Sequence, residues 1–293
     1  MSHKSFIITG PTASGKSDFA HALARRIDGV IINCDSVQIY KGIENISASP
    51  FANGMPADIP YKLFSILSLF EHLSVVDYLE LARAEYDAAI GDGKIPIFVG
   101  GTGFYIRAIT DGISPMPEVS ADARNRARDM VQDYPDAARE LLKNADPEFS
   151  FTDPQRMARA LEVFLSTERP LSEWQKIPRV GAIAPNACKV LINPHRDILR
   201  TRIAMRIPKM LDAGALDEAR AAIDANWDTG RAIGADELVR FLRGEIDMDV
   251  ACENWITRTN QYAKRQRTWF RNQLGANIEI GHVPTDKDLE LII

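Results

Sequence analysis

The chain has 293 residues, 45% hydrophobic and 26% charged, with a formal net charge of -5. These proportions exclude a disordered chain and suit one large α/β domain, or one carrying a smaller inserted lobe. The mild acidity gives no overall attraction to nucleic acid, so any such contact must come from local basic clusters.

Cys34, Cys188 and Cys252 are far apart, as are the five histidines, and neither set has metal-ligand spacing. That pattern reads as reduced thiols without structural zinc. Met1-Ser-His-Lys-Ser5 passes into an apolar run too short for a signal peptide. No stretch approaches the roughly 18 apolar residues of a membrane span. The expectation is a cytoplasmic protein with no membrane partner.

In chain order, Phe6-Ile-Ile-Thr9 predicts a buried strand, followed by a glycine-rich turn and a helix from Lys16 to Ile27. Val30 to Asn33 predicts a second strand, ending at Cys34-Asp35-Ser36. Leu79, Ala82, Tyr86, Ala89 and Ile90 share helical spacing, which predicts a helix over 77–90 with Asp77 as N-cap. Ile95 to Val99 is the next strand. This alternation implies a parallel sheet with crossover helices, and the turns after Thr9, Asn33 and Val99 should converge on one crevice.

Ser114-Pro-Met-Pro117 breaks the alternation, and 118–175 is helix-rich without a clear strand. Lys189 to Asn193 reads as a returning core strand, followed by helices near 196–213, 215–225 and 249–273. The expected division is a core of 1–118 and 188–293, with a helical insertion at 119–187. No element is assigned after Gly275.

Gly10-Pro11-Thr12-Ala13-Ser14-Gly15-Lys16-Ser17 has the spacing of a phosphate loop between strand and helix. Its backbone N–H groups at a helix N-terminus favour a polyanion. Lys16 would neutralise terminal phosphate oxygens, and the Ser17 hydroxyl would hold Mg²⁺. No second apolar strand ends in the aspartate that ATP and GTP hydrolysis uses, which counts against an ATPase. Asp35 should face the loop, where a carboxylate serves as proton acceptor, the alternative being a helix N-cap or turn carboxylate. Small-molecule kinases place an aspartate similarly. Arg196, Arg200, Arg202, Arg206 and Lys209 form one basic segment, and Arg202 or Arg206 could reach a diphosphate. Arg258, Lys264, Arg265, Arg267 and Arg271 form another, interleaved with Tyr262, Trp269 and Phe270. Arginine beside aromatics suits RNA, and a solvated helix over a core suits the pattern nearly as well.

Beyond the phosphate loop, further motifs follow in order: Asp35-Ser-Val-Gln-Ile-Tyr40, Pro96-Ile-Phe-Val-Gly-Gly-Thr-Gly-Phe-Tyr105 and Asp153-Pro-Gln-Arg-Met-Ala-Arg-Ala-Leu-Glu162. Arg202-Ile203 with Arg206, Ala232-Ile-Gly234, Gln261-Tyr-Ala-Lys-Arg-Gln266 and Thr268-Trp-Phe-Arg271 complete the set. In this combination the chain resembles the tRNA dimethylallyltransferase family over nearly its whole length. The resemblance implies a kinase-like phosphate-loop core with a helical insertion. It implies transfer of a dimethylallyl group from dimethylallyl diphosphate to N6 of the adenosine 3′ of the anticodon in tRNA.

Carried over residue by residue, the resemblance implies catalytic roles for Asp35, Lys16, Thr12 and Arg202. It implies tRNA contacts at Asp35, Ser36, Val37, Gln38, Thr102, Arg124, Gln155, Arg156, Arg159 and Arg231. Mg²⁺ is the expected cofactor, tRNA the partner, and a monomer the expected state. ATP binding stays open. The chain departs from the family pattern at Ala235-Asp236, where an aromatic and a basic residue commonly follow Ile-Gly. Two alternatives are a prenyltransferase acting on free adenine nucleotides and a small-molecule kinase.

Overall fold

The computed structural model describes residues 5–52, 54, 56 and 58–292. It falls into two compact units, one formed by 1–110 with 183–293 and the other by 111–182.

The first unit opens with β1 (Phe6–Thr9), α1 (Lys16–Ile27), β2 (Gly29–Asn33) and the two-residue β3 (Tyr61–Lys62). Then come α2 (Val75–Gly91), β4 (Ile95–Gly100) and α3 (Gly103–Asp111). The first strands carry almost nothing but buried β-branched and aromatic side chains, the signature of a parallel sheet covered on both faces. Ser74 caps α2, accepting from the N–H of Asp77, whose carboxylate accepts from the Ser74 N–H in return. Asp77 is therefore the third helical residue of a capping box, not the cap expected from sequence.

The second unit holds α4 (Ala121–Asp133), α5 (Pro135–Ala145), α6 (Pro154–Thr167) and α7 (Leu171–Gln175). Ala127, Leu142, Met157 and Leu161 are buried in its own small core. The unit closes on itself where Ile113 and Val180 exchange backbone hydrogen bonds, each at 3.0 Å. This pairing sets its start ahead of residue 119. Its end falls before residue 187 because Ile183 and Ala184 already donate to the Ile109 carbonyl of the core.

The chain returns through β5 (Cys188–Ile192), α8 (Arg196–Asp212), α9 (Ala215–Asp224) and α10 (Ala235–Leu242). The 26-residue α11 (Met248–Gln273), β6 (Ile278–Ile280) and a 3₁₀ helix (Asp286–Leu291) follow. The six strands form one parallel sheet in the order β3-β2-β4-β1-β5-β6. Fully buried Ile8, Leu23, Ile97, Val190 and Ile192 fill the core against α1. Burying each such side chain contributes ~2 kcal/mol.

Thr9, Asn33 and Gly100 end adjacent strands, so the loops after β1, β2 and β4 emerge together at the carboxyl edge. Gly100 is what lets two of them meet. A Cβ there would lie 2.0 Å from the Cys34 carbonyl oxygen, an approach no other residue permits.

Candidate active site

A cavity of about 910 Å³ opens at this edge of the first unit. The phosphate loop from Thr12 to Ser17 forms one wall, and Asp35 to Gln38 forms another. Ile46 to Ala48, Gly230 to Ile233 and residues of α8 and α11 form the remainder. The loop takes its shape from Ala13 and Gly15, with φ of 64° and 93°, and Gly15 is the residue before α1. Positive φ at successive bends turns backbone N–H groups inward at the start of a helix, an anion-binding geometry.

Seven cations line the cavity, namely Lys16, Arg202, Arg206, Lys209, Arg231, Arg258 and Arg265, against the two acids Asp18 and Asp35. An acidic chain has thus gathered a positive interior. Arg206 donates to Thr12 Oγ1 at 2.9 Å, and the Arg202 Nε donates to the Ala13 carbonyl at 2.8 Å. Burial, with Arg202 adding repulsion, lowers the Arg206 guanidinium to about 10. Burial likewise depresses Lys16 to about 8, opposed by Asp35 and reinforced by Arg206. Like charges are held together in a partly dry site, and an anion bound among them relieves the cost. The Ser14 hydroxyl is buried in the loop without a hydrogen-bond partner, a further donor for such a ligand.

One side chain from α11 joins two loops. Gln266 Oε1 accepts from the Thr12 N–H at 2.8 Å, and its Nε2 donates to the Gly101 carbonyl at 2.9 Å. The acid facing the loop is also fixed. Asn33, fully buried, accepts from the Asp35 N–H and donates to the Asp35 and Leu63 carbonyls. Tyr78 seals its backbone carbonyl with a 2.8 Å bond. Asp35 Oδ1 accepts from the Val37 N–H at 3.0 Å. Burial pushes the neighbouring Cys34 thiol up to about 12, so it is not a nucleophile at neutral pH.

The sequence-derived residues divide by location. Thr12 to Ser17, Asp35, Ser36, Val37, Gln38, Arg202 and Arg231 line the one cavity. Gly10 and Pro11 begin the loop behind it, where a Cβ on Gly10 would lie 2.2 Å from the Ile192 carbonyl oxygen. Thr102 stands behind Ser36, whose N–H it accepts at 3.0 Å. Arg231 pairs with Asp228 and donates to the Tyr40 hydroxyl. In the helical unit, buried Glu162 holds both Arg159 at 2.6 Å and Arg124 at 3.8 Å. There Arg156 lies 4.9 Å from the Phe151 ring centroid, and Gln155 is exposed.

The sequence singles out Arg258 and Tyr262 in a basic segment and Gln266 in a motif without assigning them to this site, and Trp255 and Thr259 are missed altogether. Trp255, Arg258, Thr259, Tyr262 and Gln266 recur every three to four residues on one face of α11, and that face lines the cavity. Their helical periodicity was the available signal. The departure at Asp236 is accounted for locally: Arg258 bonds to Asp236 at 3.3 Å and to buried Glu237 at 2.7 Å.

For Mg²⁺, the donor set is compatible with a hard cation. The Ser17 hydroxyl opens α1, with Asp18 and Asp35 on the same cavity. Magnesium at phosphates takes few protein ligands and keeps waters. No cluster of three or more His, Cys, Asp or Glu residues suited to a metal occurs among the described residues.

A parallel sheet with a phosphate loop after its first strand, and a basic cavity over it, defines a phosphate-loop protein of the kinase-like α/β class. The IPP transferase family model matches residues 38–273, and the isopentenyl transferase model matches residues 3–57. The chain belongs to the IPP transferase family. It is 40% identical to a tRNA dimethylallyltransferase of Rhizobium johnstonii, covering 92% of this chain and 93% of that one. It is 38% identical to one from Paramagnetospirillum magneticum, covering 93% and 89%. Among solved structures, the full-length tRNA isopentenylpyrophosphate transferase of Bacillus halodurans superimposes with a TM-score of 0.69 at 28% identity, covering 99% and 94% of the two chains. A eukaryotic dimethylallyltransferase acting on tRNA gives 0.73 at 26%, covering 93% and 71%.

Proposed function

We propose that this chain transfers a dimethylallyl group from dimethylallyl diphosphate to N6 of the adenosine 3′ of the anticodon in tRNA, releasing diphosphate. The observation that carries the reading is the meeting of Asp35 with the phosphate loop and Lys16 in one cavity. Proton acceptor and leaving-group site then lie on either side of the reacting carbon.

In this reaction the allylic C–O bond breaks as the N6–C bond forms, and one N6 proton goes to Asp35. Negative charge grows on the departing diphosphate. The phosphate-loop N–H groups, Lys16, Arg206 and Arg202 are arranged to receive it without reorganising, the most effective form of electrostatic catalysis. Thr12, bonded to both Arg206 and Gln266, holds the loop in register. The Ser17 hydroxyl would hold Mg²⁺, which would supply additional charge neutralisation at the diphosphate. The adenine must leave its stack to reach Asp35, at a cost of a few kcal/mol that favours an unpaired loop base. Ser36, Val37 and Gln38 receive the base, with Thr102 fixing Ser36. Arg124, Gln155, Arg156, Arg159 and Arg231 contact the anticodon stem-loop. No helix among the described residues is long and apolar enough to cross a membrane. We infer that the protein works as a monomer in the cytoplasm.

The test is transfer of label from dimethylallyl diphosphate into unmodified tRNA, with AMP and ATP as parallel acceptors. Label in tRNA alone, lost when the adenosine after the anticodon is replaced, supports the reading. Label in free nucleotides, or phosphoryl transfer from ATP instead, overturns it.

A further inference from the structure

Glu218, on α9, points at the turn that follows the Asp35-to-Gln38 wall. Its carboxylate accepts three hydrogen bonds, each 2.8 Å long, from the Asn45 N–H, the Asn45 side-chain amide and the Ile46 N–H. The turn is tightly wound. Ser47 N–H donates to Ile43, Ala48 to Asn45 and Ser49 to Glu44. Ala48 is held at a φ of 52°, in the left-handed region that a residue with a Cβ rarely adopts. That bend aims two consecutive carbonyls, Ser47 and Ala48, at the Gln38 side chain, which donates to them at 3.2 and 3.1 Å.

The chemistry of Gln38 follows. Both acceptors are carbonyls, so the nitrogen of the amide must face them, and its orientation is fixed by the network. Oε1 is then the end left for a ligand in the cavity that Gln38 lines. An acceptor there matches an exocyclic amine and repels a carbonyl at the same position. It recognises the amino edge of adenine, beside the carboxylate of Asp35.

We propose that Glu218 is a positioning residue. Through the Asn45–Ile46 turn it holds the Ser47 and Ala48 carbonyls, and with them the amide of Gln38, so that an acceptor oxygen faces the amine of the incoming base. The proposal rests on the reading of adenine as acceptor given above. Glu218 does not touch the base, so its effect must pass through Gln38.

The experiment compares Glu218→Gln, Asn45→Ala, Gln38→Ala and the Glu218→Gln/Gln38→Ala double variant. Each is assayed for transfer to an anticodon stem-loop and for binding of dimethylallyl diphosphate and stem-loop. The wild-type assay comes first, because no transfer by the wild type sinks the functional reading and not the role of Glu218. Losing the acceptor of the Ile46 N–H lowers kcat on the order of tenfold in Glu218→Gln, and losing the Asn45 side-chain donor lowers it less in Asn45→Ala. Binding of both ligands stays within about twofold, since phosphate contacts dominate it. In the Gln38→Ala background the Glu218→Gln change adds little, the signature of two residues acting as one. Full additivity, unchanged kcat, or loss of diphosphate binding along with kcat overturns the proposal. If Glu218→Gln does not fold, Asn45→Ala with its own Gln38→Ala double variant decides by the same criterion.

Discussion

Arg206 donates to the Thr12 hydroxyl at 2.9 Å, tying α8 to the phosphate loop across 194 residues of sequence. Both the depressed guanidinium and its neighbour Arg202 show that this contact is made against electrostatic resistance. The resistance has a use: it is released when an anion arrives.

Replacing Arg206 by Ala should therefore have opposite effects on the free and bound protein. Diphosphate affinity falls by about 2 kcal/mol, typical of a charge-assisted hydrogen bond. The free protein loses one of three crowded cations, so its melting temperature holds or rises. Thermal melts with and without diphosphate test this. A melt that drops equally in both states would mean that Arg206 is a structural brace.

Lys16 gives a pH signature. It is depressed to about 8, below the ordinary lysine value of 10.5, so the free site loses its charge as pH rises through about 8. An anion restores that charge. Binding should take up little proton from Lys16 near pH 7 and close to one near pH 9, with affinity declining across the same window. Calorimetry in buffers of different ionisation enthalpy, corrected for the ligand's own titration, reads the uptake. The Lys16→Met variant should lack it.

Asp35→Asn keeps the shape of the turn and removes the proton acceptor. Turnover should fall by about 10²–10⁴, while stem-loop binding changes by less than a factor of a few. Single-turnover assays beside binding titrations separate the two, and retained turnover would assign the proton to another group.

Arg258→Ala strips the cation from Glu237, which is 2% exposed. Loss of a fully buried partner costs about 3–5 kcal/mol. Arg258 is 39% exposed and Glu237 still accepts from the Gly234 N–H, so about 2 kcal/mol is expected in chemical denaturation. A change below about 0.5 kcal/mol, ordinary for a surface site, would show the pair to be solvated.

Much of this architecture is legible in the sequence because its signals are local. β1, β2, β4 and β5 each hold an apolar run, broken in β5 only by Lys189, and the glycine pattern of the phosphate loop has few other uses. What stayed hidden is short or built at a distance. β3 has two residues and β6 three, below any periodicity. α3 was masked by the glycines that open it, and the eight-residue α10 by its proximity to Ile233-Gly234. Gln266 closes a quoted motif and Glu218 lies in none, but the task of each stays hidden, since each is defined by partners more than 160 residues away.

The amide of Gln266 reaches back 254 positions to the Thr12 N–H. A ribosome makes the phosphate loop long before its fastener. During synthesis the loop is therefore made without the partner that shapes it, and the site closes only when α11 has emerged. Emergence of α11 is the step that completes the pocket, so a product terminated before it carries the motif without the brace that Gln266 supplies.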